Sequence, residues 1–189
     1  MASKPLLFII SGPSGAGKGT IVQGLLARDY PVKLAVSFTT RPARPMEKEG
    51  VHYNFISERE FIEKRNRGEF LEWAEVHGNM YGTSRTWVEG QLASGNDVLL
   101  EIDVQGAAQV KTNMPDAKLI FIEAPSMQIL EQRLRLRSTE QEDALGRRLA
   151  DAYDELRKKQ LFDGVIVNID VEQAVDEVLA LMNKLKESP

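Results

Sequence analysis

Nine consecutive residues, Gly12-Pro13-Ser14-Gly15-Ala16-Gly17-Lys18-Gly19-Thr20, limit what this chain can fold into more than any other stretch. They follow an apolar run, residues 6–10, that reads as a buried strand, and they lead into residues 20–28, which can form a helix. Strand, glycine-rich loop, lysine and helix in that order make a cradle for the phosphates of a nucleoside triphosphate. The glycines let successive backbone N–H groups curl round an anion. The helix N-terminus adds positive potential, and Lys18 reaches the outer phosphates.

One position departs from the usual loop. Ser or Thr normally follows the lysine and ligates magnesium, but here Gly19 stands between Lys18 and Thr20. Other groups are therefore expected to carry more of the magnesium duty.

Three further apolar runs, at residues 98–102, 119–122 and 165–169, are short, β-branched and continuous rather than alternating. That pattern suits parallel strands buried on both faces. Leu145, Leu149, Ala152 and Leu156 recur at helical spacing, as do Val171, Val175, Val178, Met182 and Leu185. Ser126 is placed to cap a helix running to about Arg137. The expected class is α/β, a three-layer core around a parallel sheet. Residues 31–81 read differently: Leu34, Val36 and Phe38 alternate with polar residues, and aromatic runs appear at residues 53–55 and 70–73. Ser57-Glu58-Arg59-Glu60 has capping-box form. A small, mostly antiparallel lobe inserted into the core is expected there.

Composition removes several classes of function. The 189 residues suffice for one core with inserted lobes. The longest apolar run is far shorter than a membrane span, and with residues 1–5 leading straight into the first strand no signal peptide is expected. The absence of cysteine excludes disulfides and thiolate zinc sites, and it fits a cytoplasmic protein. A net charge of −4 argues against general nucleic-acid binding.

Several short motifs, taken in order, resemble the guanylate kinase family: Ser37-Phe38-Thr39-Thr40-Arg41-Pro42-Ala43-Arg44, Tyr53-Asn54-Phe55, Phe70-Leu71-Glu72-Trp73, Tyr81-Gly82-Thr83 and Asp103-Val104-Gln105-Gly106. The likeness runs from the P-loop to Val167-Asn168. It implies a single guanylate-kinase-like domain with a core at about 1–32, 96–125 and 160–189. A GMP-binding lobe at about 33–95 and a helical lid at about 126–159 complete it. The implied activity moves the γ-phosphoryl group of ATP to GMP with Mg2+, giving ADP and GDP. ATP and GMP are the implied partners, with no nucleic acid or membrane.

The chemistry of each matched position suits that job. Arg41 and Arg44 offer two planar guanidinium forks on a proline-stiffened segment, and the family uses the matching arginines with Tyr53 and Tyr81 for the GMP phosphate. Guanine presents N1–H and N2–H2 side by side, which one carboxylate can accept together, so the resemblance gives Glu72 the reading of the base, with Ser37 and Thr83 beside it. Asp103 ends an apolar strand at the P-loop crevice, where an acid organising magnesium through water is expected, and it is also counted with the GMP ligands. Glu101 is a second acid whose role the sequence leaves open. Arg133 and Arg137 lie on one helical face, and Arg148 begins the next helix. Family members use such arginines on a mobile lid to grip the ATP phosphates and the group in flight. Arg137 and Asn168 are also assigned to ATP, the latter on the adenine side. Ser138 stands where the family often has Gly, at the lid joint.

Neither His52 nor His77 sits in a catalytic pattern, and no strong base is needed, because the attacking phosphate oxygen is already ionised at pH 7. Two rivals stay open on sequence grounds: a kinase of another nucleoside monophosphate, and a guanylate-kinase-like module that binds peptides without catalysis. Glu72 opposes the first. The intact P-loop opposes the second.

Overall fold

The computed structural model describes residues 4–76, 78–137 and 142–187. Strands β1 (Leu7–Ser11), β2 (Val32–Leu34), β7 (Asp97–Glu101), β8 (Lys118–Glu123) and β9 (Gly164–Val167) form a five-stranded sheet in the order β2-β7-β1-β8-β9, with every pair parallel. Four of these are the apolar runs read from the sequence. The fifth, β2, was expected to belong with the alternating residues of the lobe. Instead Leu34 pairs with Leu99 in the core, and only Phe38 enters the lobe.

Because β1 is covered on both faces, its successive residues enter different cores. Phe8 and Ile10 pack with α1 (Lys18–Ala27) and α7 (Val171–Glu187), through Ile21, Leu25, Val175 and Val178. Leu7 and Ile9 pack with α3 (Arg85–Ala93) and α4 (Val104–Asn113), through Val88, Ala107 and Val110. Phe8, Ile9 and Ile10 have no exposed surface, and each such side chain contributes about 1.5–3 kcal/mol of burial. The three-layer expectation is met.

The inserted lobe is a second sheet, β4-β3-β6-β5, made of β3 (Phe38–Thr39), β4 (Asn54–Phe55), β5 (Phe70–Val76) and β6 (Asn79–Ser84). Its β3·β6 and β5·β6 pairs are antiparallel and its β3·β4 pair is parallel. Helix α2 (Glu58–Asn66) covers it, opened by the capping box seen in the sequence: Glu60 N–H donates to the Ser57 hydroxyl, and Ser57 N–H to the Glu60 carboxylate. The lobe is tied to the core at its edge strand. Gln109 of α4 exchanges two hydrogen bonds with the Trp73 backbone, and Asn113 donates to the Leu71 carbonyl. These amide side chains stand in for a neighbouring strand and satisfy an edge that would otherwise be open.

Helices α5 (Met127–Arg137) and α6 (Glu142–Leu156) pack on each other through Leu130, Leu134, Leu145 and Ala152, a small core of their own. Ser126 caps α5, its hydroxyl accepting from Ile129 N–H.

Candidate active site

A cleft of about 550 Å³ opens between the P-loop, the inserted lobe and α6. On the P-loop side, Gly17 precedes α1 at φ +96°, and no side chain caps that helix. By contrast Ser57, Ser84 and Asp103 cap α2, α3 and α4 through their oxygens. The first-turn N–H groups of α1 are thus kept for an anion. At Gly12 (φ +137°) a Cβ would strike the Ile122 carbonyl, and at Gly17 it would strike the Asn168 amide. Neither position admits a side chain. Among the other loop residues, Pro13 O accepts from Ala16 N–H, closing the turn round Ser14 and Gly15, and Thr20 lies inside the first turn of α1. Lys18 Nζ donates to the carbonyls of Gly12 (2.6 Å) and Pro13 (3.2 Å).

Two of the residues expected to touch ATP sit behind the loop and hold it. Asn168 is 2% exposed, and its Nδ2 donates to Ala16 O at 2.7 Å. Arg133 donates to the same carbonyl and to Asn168 O. Both therefore brace the phosphate cradle rather than line the cleft, because the chain after β9 passes directly beneath the loop. Arg148 of α6 does face the cleft and donates to the Ser14 hydroxyl at 2.8 Å. The side chain of Arg137, and all of Ser138 and His77, lie outside the described residues.

Opposite the P-loop stands Glu72, 3% exposed. Its place depends on a register shift in β5: Phe70 pairs with Ser84 but Glu72 with Thr83, so one extra residue lies between them. The bulge sends Leu71 into the main core and Glu72 into the cleft. Thr83 donates to Glu72 Oε1 at 2.6 Å, and Ser37 Oγ lies 3.3 Å from Thr83 Oγ1. Across from it, a Cβ on Gly106 would come within 2.5 Å of Glu72 Oε2, so only glycine leaves the carboxylate its space. Burial pushes the Glu72 carboxyl up to about 7, with the Thr83 hydroxyl partly offsetting and the Asp103 charge adding to the rise.

Asp103 caps α4 by accepting from Gly106 N–H at 2.7 Å, which leaves its buried Oδ2 without a hydrogen-bond partner. An orphaned carboxylate oxygen on the cleft wall suits a water held by a metal ion. Glu101 is beside it, its Oε1 3.5 Å from where a Cβ of Gly19 would be. A side chain at position 19 would thus stand in contact with this strand-end acid. No group of three or more His, Cys, Asp or Glu side chains that could hold a metal ion occurs among the described residues.

Arg44, Tyr53 and Tyr81 line the cleft, with the two tyrosine rings edge to face at 5.9 Å. Burial raises the Tyr53 hydroxyl to about 12, so it stays a donor at neutral pH. Arg41 sits behind Tyr53, 5.5 Å from that ring, and is held by Glu47.

Sequence reasoning named Arg148 but missed Glu47 and the neighbours of Arg148. Asp151 and Glu155 of α6, and Lys158 just beyond its end, follow Arg148 at helical spacing and line the cleft. Burial pushes Glu155 up to about 7, Lys18 partly offsetting and Asp103 and Asp151 adding. The spacing was available as a signal, but the same charges serve equally well on a solvated face.

A P-loop core, an inserted lobe with a buried carboxylate in the cleft and a helical pair over it define a P-loop phosphotransferase of the nucleoside monophosphate kinase type. The guanylate kinase family model matches residues 4–185, so the chain belongs to that family. It is 52% identical over 176 residues to a guanylate kinase of Aromatoleum aromaticum, spanning 93% of this chain and 86% of the relative. A guanylate kinase of Symbiobacterium thermophilum is 49% identical over 184 residues, 96% of this chain and 87% of that protein. The crystal structure of a guanylate kinase from Anaplasma phagocytophilum superposes with a TM-score of 0.83 at 34% identity, covering 98% of this chain and 88% of that one.

Proposed function

We propose that this chain transfers the γ-phosphoryl group of ATP to GMP, giving ADP and GDP, as a cytoplasmic enzyme. The observation that carries this reading is the buried Glu72 carboxylate facing an uncapped P-loop helix across one cleft. One wall reads a base with adjacent N–H donors, and the other receives a triphosphate. No helix among the described residues is long and apolar enough to cross a membrane.

An oxygen of the GMP phosphate attacks the γ-phosphorus of ATP while the bond to the β,γ-bridging oxygen breaks, and ADP leaves with that electron pair. No proton need be removed, so positioning and cations supply the catalysis. Lys18 and the P-loop amides from Gly12 to Thr20 hold the triphosphate, Lys18 exchanging its loop carbonyls for phosphate oxygens. Arg41, Arg44, Tyr53 and Tyr81 hold the acceptor phosphate. Glu72 accepts from guanine N1–H and N2–H2, with Ser37 and Thr83 beside it. Arg148, Arg137 and, through the loop it braces, Arg133 complete the donor phosphate site. Asp103 and Glu101 would hold Mg2+ through its waters. When bound, that ion neutralises charge on the transferring group.

Adding ATP and Mg2+ to the protein with GMP, AMP, UMP or dTMP as separate acceptors tests the reading. ADP is expected to form rapidly with GMP alone. Equal rates with AMP would move Glu72 out of base recognition.

The raised Glu72 pKa gives a second expected result. The empty site holds the carboxyl protonated below about 7, against 4.5 for an ordinary glutamate. This group therefore favours the empty fold most below the ordinary value, and that contribution is lost as pH rises through the folded one. Guanine needs the ionised form, so binding releases a proton. Calorimetry of guanosine binding at about pH 6.5, in buffers of different ionisation enthalpy, should register it. Guanosine has no phosphate to titrate. Absence of proton release would place the base elsewhere.

A further inference from the structure

Arg41 is committed on three sides before any substrate arrives. Its Nη1 and Nη2 donate to the two oxygens of Glu47 at 2.9 and 2.8 Å, and Nη1 also donates to Pro42 O at 2.7 Å. The rings of Tyr53 and Phe55 lie 5.5 and 5.9 Å from the guanidinium. The ion pair is only 15% exposed on each side, so it is sheltered from solvent screening. Glu47 Oε2 accepts a third bond, from Arg44 N–H at 2.8 Å. One carboxylate therefore joins both arginines of the segment.

The donor count shows what this leaves. A guanidinium has five N–H groups, and three are used. The remaining two, on Nε and Nη2, share one edge of the fork, where the Tyr81 hydroxyl accepts one of them; a phosphate that offers two oxygens side by side would take over that place. The cleft-lining Tyr81 hydroxyl hydrogen-bonds to the same guanidinium, which sets that group beside the cleft. Glu47 and a phosphate can thus be held at once, on different edges.

We propose that Glu47 is a positioning residue for phosphoryl transfer. Its carboxylate grips the end of the Arg41 fork, leaves the Nε edge for the acceptor phosphate, and sets the Arg44 turn in the same stroke. This rests on Arg41 and Arg44 being the acceptor-phosphate ligands. Prior orientation removes the ordering cost that a free arginine would pay on binding, and it fixes the line of attack.

Glu47→Gln keeps the shape and an acceptor for Arg44 N–H while removing the charge. Steady-state kinetics with both substrates are expected to show the KM for GMP raised about tenfold and kcat lowered less, with KM for ATP unmoved. Guanosine affinity should not change, since it has no phosphate, and this also certifies the folded lobe. Glu47→Asp should recover part of the loss. In an Arg41→Met background, Glu47→Gln should add little, because its partner is gone. An unchanged or lowered KM for GMP in Glu47→Gln, or equal losses in both backgrounds, overturns the positioning role. If Arg41→Met weakens GMP and Glu47→Gln does not, only the positioning role falls. If Arg41→Met itself leaves GMP kinetics unchanged, the phosphate assignment falls with it.

Discussion

Glu72→Gln is expected to lower kcat/KM for GMP by roughly 10²–10⁴ while leaving ATP affinity nearly unchanged. The amide keeps one acceptor and turns the other into a donor. Thr83 already occupies Oε1 with a 2.6 Å hydrogen bond, so the amide nitrogen is driven to the outer position. There it meets a guanine N–H, donor against donor. A lost charge-assisted bond and an unsatisfied buried donor cost about 3–6 kcal/mol together, which sets that range. The fold should survive, because a neutral amide costs less to bury than a carboxylate whose ionisation burial already opposes. A melting temperature equal to or above the parent, beside a collapsed GMP rate, is the expected pair of measurements. Discrimination against AMP should weaken as well, since the group that adenine leaves unpaired has gone. Lost GMP activity with unaltered rejection of AMP would give the base to Ser37 and Thr83. Unaltered GMP activity would take Glu72 out of the site.

Lys18→Met should cut turnover by at least roughly 10² with the fold intact, the scale of losing one preorganised charge at the reacting group. Lys18 donates to the Gly12 and Pro13 carbonyls of its own loop and favours the ionised form of Glu155 on α6. Thermal melting measured beside turnover separates a lost charge from a loosened fold. A folded Lys18→Met protein with near-parental turnover would end the P-loop assignment. The measurement is single-turnover ADP formation with both substrates saturating, which separates the chemical step from binding.

The sequence by itself determined whatever depends on neighbours along the chain. The P-loop was legible because its chemistry needs residues at fixed local spacing, and β1, β7 and β8 because burial on both faces leaves a continuous apolar run; β9 carries the same run although Val165 and Val167 are exposed. The capping box at Ser57 and the Ser126 cap were legible for the same reason: their hydrogen bonds close within three residues. The ordered motifs also named Ser37, Arg44, Tyr53, Glu72, Tyr81 and Asp103, which line one cleft.

Tertiary structure decided where those residues point. Alternating Leu34, Val36 and Phe38 looked like one lobe strand, yet the chain divides there between two sheets, Leu34 pairing with Leu99 and Phe38 with Gly82. Nothing near Asn168 in sequence shows that it reaches Ala16, 152 residues away, and braces the loop. The Glu72 carboxylate owes its aim to a bulge in β5 and to the missing side chain of Gly106 in α4. Glu47 owes its role to a turn that brings it back under Arg41. Local spacing sets which groups are available. Burial, pairing register and the entropy of closing long loops set which of them meet, and those are properties of the folded chain.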